Sequence, residues 1–305
     1  MSDPVLRNAH LDVAAFRAAV ERTSHDFDFR PALVEKDYFC SLFLEAIAPV
    51  EAVWIFEGGT CLSKIYTDFY RLSEDLDFCI PIQGAATRTE RRRLIDPAKK
   101  IVDELPKRVA GVEIEEPLTG RNVSTQYVAA ARYKSVITGD WEKVKIEIAL
   151  REPLFRPAVT GNARTLVRNV FTGVDLVPTF PLRVIDLTEA LSEKVRAALT
   201  RLEPAIRDFF DLQYALDHLN LRLDDSDFLD LLRRKLAIPG TGPIQLTQER
   251  HNALEQQKRT ELAAVLRAKD MEKFDLDRVW NMLVSLAPAC PPQDFGGQAG
   301  RAGRK

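Results

Sequence analysis

The sequence predicts an α/β (α+β) half followed by an all-helical half. Three observations carry that reading. Strand-like patterns fall only between residues 52 and 150, helical segments precede and interrupt them, and from about residue 180 the apolar spacing is helical almost throughout. The expected organisation is an α/β domain over 1–180 that includes the N-terminal helices, a helical domain over 181–287, and a disordered tail over 288–305.

Each element has a local reason. Asp12 opens a helical pattern through Arg22, and Pro31 opens another through Ala48 with a wide apolar stripe. Ala52 to Phe56 is a short apolar strand signal that stops at Glu57-Gly58-Gly59, read as a turn. Thr60 to Tyr70 reads as a helix, and Leu76 to Ile80 alternates as a strand until Pro81 ends it. Thr89 to Val109 is a charged helical segment. Thr125 to Tyr133 and Lys143 to Leu150 alternate again, with Gly139-Asp140 turning between them. Helices are then expected over Thr188–Arg201, Pro204–Leu219, Ser226–Leu236, Thr247–Ala268 and Asp275–Leu286, with Pro204 as a first helical residue. Pro239 to Pro243 is a loop, and the glycine-bearing stretch from Pro288 reads as disordered.

Composition narrows the classes. Hydrophobic residues at 46% and charged residues at 29% are the profile of a globular protein, and no apolar run is long enough to span a bilayer. The opening Met-Ser-Asp-Pro-Val-Leu-Arg lacks a charged start and an apolar stretch, so a cytoplasmic location without membrane attachment is expected. Cys40, Cys61, Cys79 and Cys290 form no CxxC pair and have no histidine at metal-ligand spacing, which makes them core residues rather than disulfides or zinc ligands. A net charge of −2 is no polycation, so a nucleic-acid partner would need a local basic surface. Arg88, Arg91, Arg92, Arg93, Lys99 and Lys100 could supply one, as could Arg233, Arg234 and Lys235; such runs are usually solvated helix faces.

The chemistry concentrates around Arg71-Leu-Ser-Glu-Asp-Leu-Asp77. Residues two apart in a strand share a face, so Asp75 and Asp77 project together, opposite Leu76, Phe78 and Ile80. Two carboxylates held this way repel unless a cation joins them, and hard oxygen ligands suit Mg²⁺ or Mn²⁺. The bland alternative is an edge strand with two solvated aspartates. Gly58-Gly59-Thr60 stands between a strand and a helix, where a backbone can approach a phosphate, although the spacing is neither GxxxxGK[ST] nor GxGxxG. In Lys143-Val-Lys-Ile-Glu-Ile-Ala-Leu150, Lys145 and Glu147 share one face. If that strand lies beside the Asp75 strand, Glu147 completes a three-carboxylate cluster; otherwise it is half of an ordinary Lys–Glu pair.

Taken in order, several blocks resemble the AbiEii/AbiGii nucleotidyltransferase toxin family of the DNA polymerase β-like superfamily. Val34-Glu-Lys-Asp-Tyr38 is similar to the family's EKDY helix, Phe56-Glu-Gly-Gly-Thr-Cys-Leu-Ser-Lys64 to its FKGGTxLxK segment, and Arg71 to Asp77 to its RxSEDxD signature. In the helical half, Leu187 to Ala198 resembles the EKxxAL helix, and Arg207-Asp-Phe-Phe-Asp-Leu212 the RDxxD block. Glu57 departs from a position that is often lysine. The resemblance spans about residues 30 to 220 and implies a nucleotidyltransferase-like mixed sheet with flanking helices, completed by the helical domain.

The resemblance also implies roles. Asp75, Asp77 and Glu147 would be the metal-binding and catalytic acids, joined by Lys194 and Asp208 as catalytic residues. Gly58, Gly59, Thr60, Lys64, Ser73, Lys194 and Asp211 would bind the nucleotide, with Asp208 preferred over Asp211 as the aspartate that orients Lys194. The implied reaction moves a nucleoside monophosphate from an NTP, with Mg²⁺ or Mn²⁺, to an acceptor. The implied biology is a bacterial toxin–antitoxin or phage-defence pair that modifies tRNA 3′ ends and has a separately encoded antitoxin. Two other readings stand beside it: an enzyme of the same fold acting on a protein or small molecule, and a catalytically silent binding module.

Overall fold

The structure, a computed structural model, describes residues 6–48, 52–82, 86–150 and 152–290. Its contacts divide the chain into two compact units, Met1–Ala190 with Gln257–Phe274, and Leu191–Gln256 with Asp275–Lys305.

The first unit opens with α1 (Val13–Phe27), whose first turn is capped by the Asp12 carboxylate on the Ala15 N–H at 3.1 Å. It ends at Asp28, which takes a left-handed conformation, and α2 (Pro31–Ile47) follows with proline at its start. Then come β1 (Ile55–Glu57), the single turn α3 (Gly58–Cys61), a π-wound turn over Leu62–Tyr66, and β2 (Asp75–Cys79). Helix α4 (Arg88–Asp103) starts in a capping box between Thr87 and Glu90, and α5 (Leu105–Arg108) leads into the sheet again. The remaining strands are β3 (Val112–Arg121), β4 (Gln126–Lys134), β5 (Trp141–Ala149), β6 (Val159–Ala163) and β7 (Phe180–Val184).

These form a seven-stranded mixed sheet in the order β3-β4-β5-β2-β1-β7-β6. The pairs β1–β7 and β2–β5 are parallel and the others antiparallel. One face is apolar. Leu76, Phe78, Ile146, Ile148, Tyr127 and Tyr133 are all buried, and Phe39 of α2 stacks on Tyr133 with ring centroids 3.6 Å apart. Each of the Leu, Ile and Phe side chains contributes about 1.5–3 kcal/mol on burial, so this α2-covered face anchors the sheet in the core. The alternation that buries it forces the intervening residues to the other face. That face carries the acids.

In the second unit, the body of α6 (Leu187–Thr200) is followed by α7 (Ile206–His218), α8 (Ser226–Leu236), α9 (Gln248–Gln257) and a last helix over Leu276–Leu286. Asp225 caps α8 and Asp275 caps the last helix, each accepting at 2.9 Å from the N–H three residues on. Val195, Phe209, Leu212, Leu232, Val279 and Leu283 are among the core residues of this unit.

The differences from expectation have local causes. Glu57 belongs to β1 rather than a turn, and the glycine pair begins a helix. The helix expected over Thr60–Tyr70 is over by Tyr66, beyond which Asp68 and Phe69 both take positive φ, 49° and 59°. Strand β3 alternates only over Val112–Glu115 before Glu116 and Pro117 break the pattern at a sheet edge, and β6 and β7 are short, with Gly161 and Pro181 inside them. Pro204 lies before α7, not within it. The pattern over Thr247–Ala268 splits at a π-wound turn, Lys258–Leu262. Of the expected tail, residues 288–290 belong to a 3₁₀ turn and a buried Cys290, and the rest lies outside the described residues.

Candidate active site

Strand pairing brings the sequence-predicted acids together. Strand β5 lies directly beside β2, registering Asp77 with Glu147 and Asp75 with Lys145. Strand β1 lies on the other side and registers Glu57 with Asp77. Paired residues share a face, so Glu57, Asp77 and Glu147 form one row across three strands, with Asp75 and Lys145 in the next row. Gln126 of β4 donates through its amide nitrogen to Glu147 Oε1 and fixes that carboxylate from the far side.

A lysine stands among these acids. Lys145 Nζ is 3.5 Å from Asp75 Oδ2 and 3.3 Å from Glu147 Oε2. Burial alone would lower its pKa, but Asp75, Asp77 and Glu147 together outweigh burial and raise it, so the ammonium stays charged. Among the described residues no three His, Cys, Asp or Glu side chains are gathered as a ready metal site. The arrangement as it stands is a set of carboxylates already joined by a cation, and that cation is Lys145.

The glycine pair explains itself at this face. Gly58 has φ +77°, and a Cβ there would come within 2.5 Å of Asp77 Oδ2. At Gly59 a Cβ would meet Arg71 Nη2 at 2.6 Å and Ser73 Oγ at 3.2 Å. Absence of both side chains is therefore what lets the turn lie against Asp77 and Ser73. Thr60 is buried, and its hydroxyl donates to the Asp75 carbonyl, tying the turn to β2.

Lys64 is not brought to this face. Its side chain is 0% exposed, and its ammonium bonds to the Asp37 carboxylate of α2, to Ser41 Oγ at 2.8 Å and, more distantly, to the carbonyls of Asp37 and Arg164. Asp37 in turn accepts from the Leu166 N–H at 3.0 Å. The lysine and aspartate of two sequence blocks thus form one buried ion pair joining α2 to the turn after α3 and to the 164–166 segment. Lys36 instead reaches Glu74 at 3.4 Å and Glu142 at 4.0 Å.

The second unit holds its own cluster. Lys194 Nζ lies 2.8 Å from Asp208 Oδ1 and 2.9 Å from Asp211 Oδ2, so both aspartates grip it at once. Arg201 shares Asp208 through Oδ2 at 3.1 Å and is 54% exposed at the side chain. Asp208 and Asp211 are one turn-face of α7, three residues apart, which is why both converge on the same ammonium.

The family model described as "Nucleotidyl transferase AbiEii toxin, Type IV TA system" matches residues 42–284. The chain belongs to the AbiEii nucleotidyltransferase toxin family. A solved structure agrees at the level of fold. The chain is similar to the structure described as JHP933 from Helicobacter pylori, with TM-score 0.50 and 16% identity, covering 85% of this chain and 92% of that one. A second structure, described as a "putative nucleotidyltransferase from H. pylori", aligns with TM-score 0.44 and 16% identity over 84% of this chain and 92% of that one. No curated protein sequence matches the chain. Among the described residues no helix is long and apolar enough to cross a membrane. As an AbiEii-type toxin of a type IV toxin–antitoxin system, the protein has an antitoxin partner implied by its family.

Within this AbiEii chain the sequence reading gave no site role to Lys145, Gln126, Arg71 or Glu57. Lys145 had a visible signal, since it shares a strand face with Glu147. Gln126 had none, because its approach to Glu147 depends on β4–β5 register. Arg71 sits fully buried against Gly59, and only the missing Cβ reveals the contact.

Proposed function

We propose that the protein transfers a nucleoside monophosphate from an NTP to a hydroxyl at a tRNA 3′ end, in a reaction that depends on a divalent cation. The observation that carries the reading is the parallel β2–β5 register, which sets Glu147 beside Asp77 and leaves Asp75 one step away on the same face.

The donor set fits Mg²⁺ or Mn²⁺. Asp75, Asp77 and Glu147 offer hard carboxylate oxygens from two adjoining strands, and two of these groups already share one positive charge, that of Lys145. When bound, the divalent cation supplies charge neutralisation for the triphosphate. The chain does the rest by positioning. Gly58 and Gly59 let the backbone approach the phosphates, and Ser73 offers a hydroxyl to one of them. Glu147, oriented by Gln126, draws the proton from the acceptor hydroxyl as it attacks the α-phosphate, and pyrophosphate leaves. Lys194, by its resemblance to the family's lysine, balances the charge that develops on that pyrophosphate. Asp208 and Asp211 hold its ammonium within the second unit, so this role rests on the resemblance alone. Lys64 is assigned to the fold, because its ammonium is spent on Asp37.

The acceptor rests on family resemblance and on one surface feature, the exposed Arg88, Arg92, Arg93 and Lys100 of α4. The test incubates the full chain with Mg²⁺, each labelled NTP in turn, and total tRNA. Label on tRNA with wild type and none with Asp75→Ala is the expected result. Label on protein in place of tRNA would redirect the acceptor. No transfer to any acceptor under these conditions would sink the proposal.

A further inference from the structure

The acid row is crowded. Glu57, Asp77 and Glu147 stand side by side on three strands with Asp75 in the adjoining row, and Lys145 is the lysine that the β2–β5 register sets among them. Its ammonium reaches Asp75 at 3.5 Å and Glu147 at 3.3 Å, bridging the two strands. With 43% of its side chain exposed, Lys145 is free to swing outward on its four-carbon stem, whereas Lys64 is locked in the core. A divalent cation drawing on Asp75 and Glu147 would stand beside the ammonium that now contacts Asp75 Oδ2 and Glu147 Oε2. Two positive charges that close repel, so the metal and the inward-turned lysine oppose each other.

We infer that Lys145 is an internal counter-ion of the AbiEii site: it holds Asp75 and Glu147 together while no metal is bound, and an entering divalent cation displaces it. This rests on the metal-dependent reading above. The lysine then has two opposite effects. It stabilises the empty site against carboxylate repulsion, and it lowers metal affinity by repelling the second positive charge. Only high free metal, or metal arriving with a nucleotide, fills the site.

The test uses Lys145→Met, which keeps the stem length and removes the charge, with Lys145→Gln as a second uncharged variant and Lys145→Arg to restore the charge. Mn²⁺ affinity is read by the electron paramagnetic resonance signal of free Mn²⁺, and melting temperature is recorded with and without Mn²⁺. Lys145→Met should bind Mn²⁺ on the order of tenfold more tightly, the effect of one unit charge at ion-pair distance in a half-exposed setting. It should melt below wild type without metal and regain the difference at saturating Mn²⁺, and Lys145→Arg should return affinity toward wild type. Equal or weaker Mn²⁺ binding by both uncharged variants, while wild type binds Mn²⁺ and Asp77→Ala does not, overturns the counter-ion role and leaves the metal reading intact. Absence of Mn²⁺ binding in wild type and variants alike overturns both.

Discussion

Gly58→Ala is the sharpest probe of how the turn and the acids depend on each other. Two costs arise at this residue. The backbone at φ +77° is a left-handed conformation that costs an L-residue roughly 1–2 kcal/mol. The added Cβ would also lie 2.5 Å from Asp77 Oδ2, a distance that forces the carboxylate to move. Gly111 separates the two effects, because it has φ +73° and nothing within 4 Å of the place its Cβ would take. Gly111→Ala should therefore carry the backbone cost alone. At roughly 2–4 °C per kcal/mol for a domain of this size, either variant should lose a few degrees of melting temperature. Their transfer rates should part company. A reacting group displaced by about 1 Å costs on the order of a hundredfold, so Gly58→Ala should lose about that much labelled-NTP transfer. Gly111→Ala should keep the wild-type rate. If Gly58→Ala transfers nucleotide as fast as Gly111→Ala, the turn does not position Asp77 and the reasoning is wrong.

Three further outcomes follow from other sites. Lys64→Met removes one partner of a fully buried ion pair and should cost about 3–5 kcal/mol in urea unfolding; the double variant Lys64→Met with Asp37→Leu should cost less than the two single changes summed, and strict additivity would dissolve the pairing. Lys194→Ala should leave the far-ultraviolet circular dichroism spectrum unchanged while depressing transfer by roughly a hundredfold, the usual scale for losing one group that stabilises developing charge. Unchanged turnover would remove Lys194 from the reaction. The third outcome concerns pH. Burial lowers the pKa of His10 from 6.5, partly offset by its bond to the Ala110 carbonyl at 2.8 Å. The unfolded chain thus takes up the proton first as pH drops below 6.5, so stability present above that value is lost on acidification. His10→Gln should flatten the dependence of melting temperature on pH just below 6.5, and an equally steep variant would assign it elsewhere.

Much of this architecture is legible in the sequence. Apolar spacing gives the helix over Ser226–Leu236, and alternation gives a strand over Leu76–Ile80 that the fold starts one residue earlier, at Asp75. What stayed hidden depends on pairing between distant segments. Alternation shows that Lys145 and Glu147 share a face, but not that β5 docks on β2 with Lys145 opposite Asp75 and Glu147 opposite Asp77. The Lys64 ammonium is the clearest case. Its sequence position beside the glycine turn points toward phosphate, yet the carboxylate that claims it, Asp37, comes from an earlier helix and follows from tertiary packing alone. Strand β3 alternates too briefly to stand out, because its edge position tolerates the Glu116-Pro117 break that a central strand would reject.

The two parallel pairings set an order of assembly. Phe56 pairs with Val184, and Asp75 with Lys145, so each contact joins stretches that leave the ribosome far apart in time. A nascent chain that has exposed only the glycine turn and the aspartates still lacks Glu147, Gln126 and the strand that seats them. Such a fragment can fold its first helices without owning a working acid row. Any product that stops before Gln126 and Glu147 therefore lacks the β2–β5 and β4–β5 pairings that bring the acids into register.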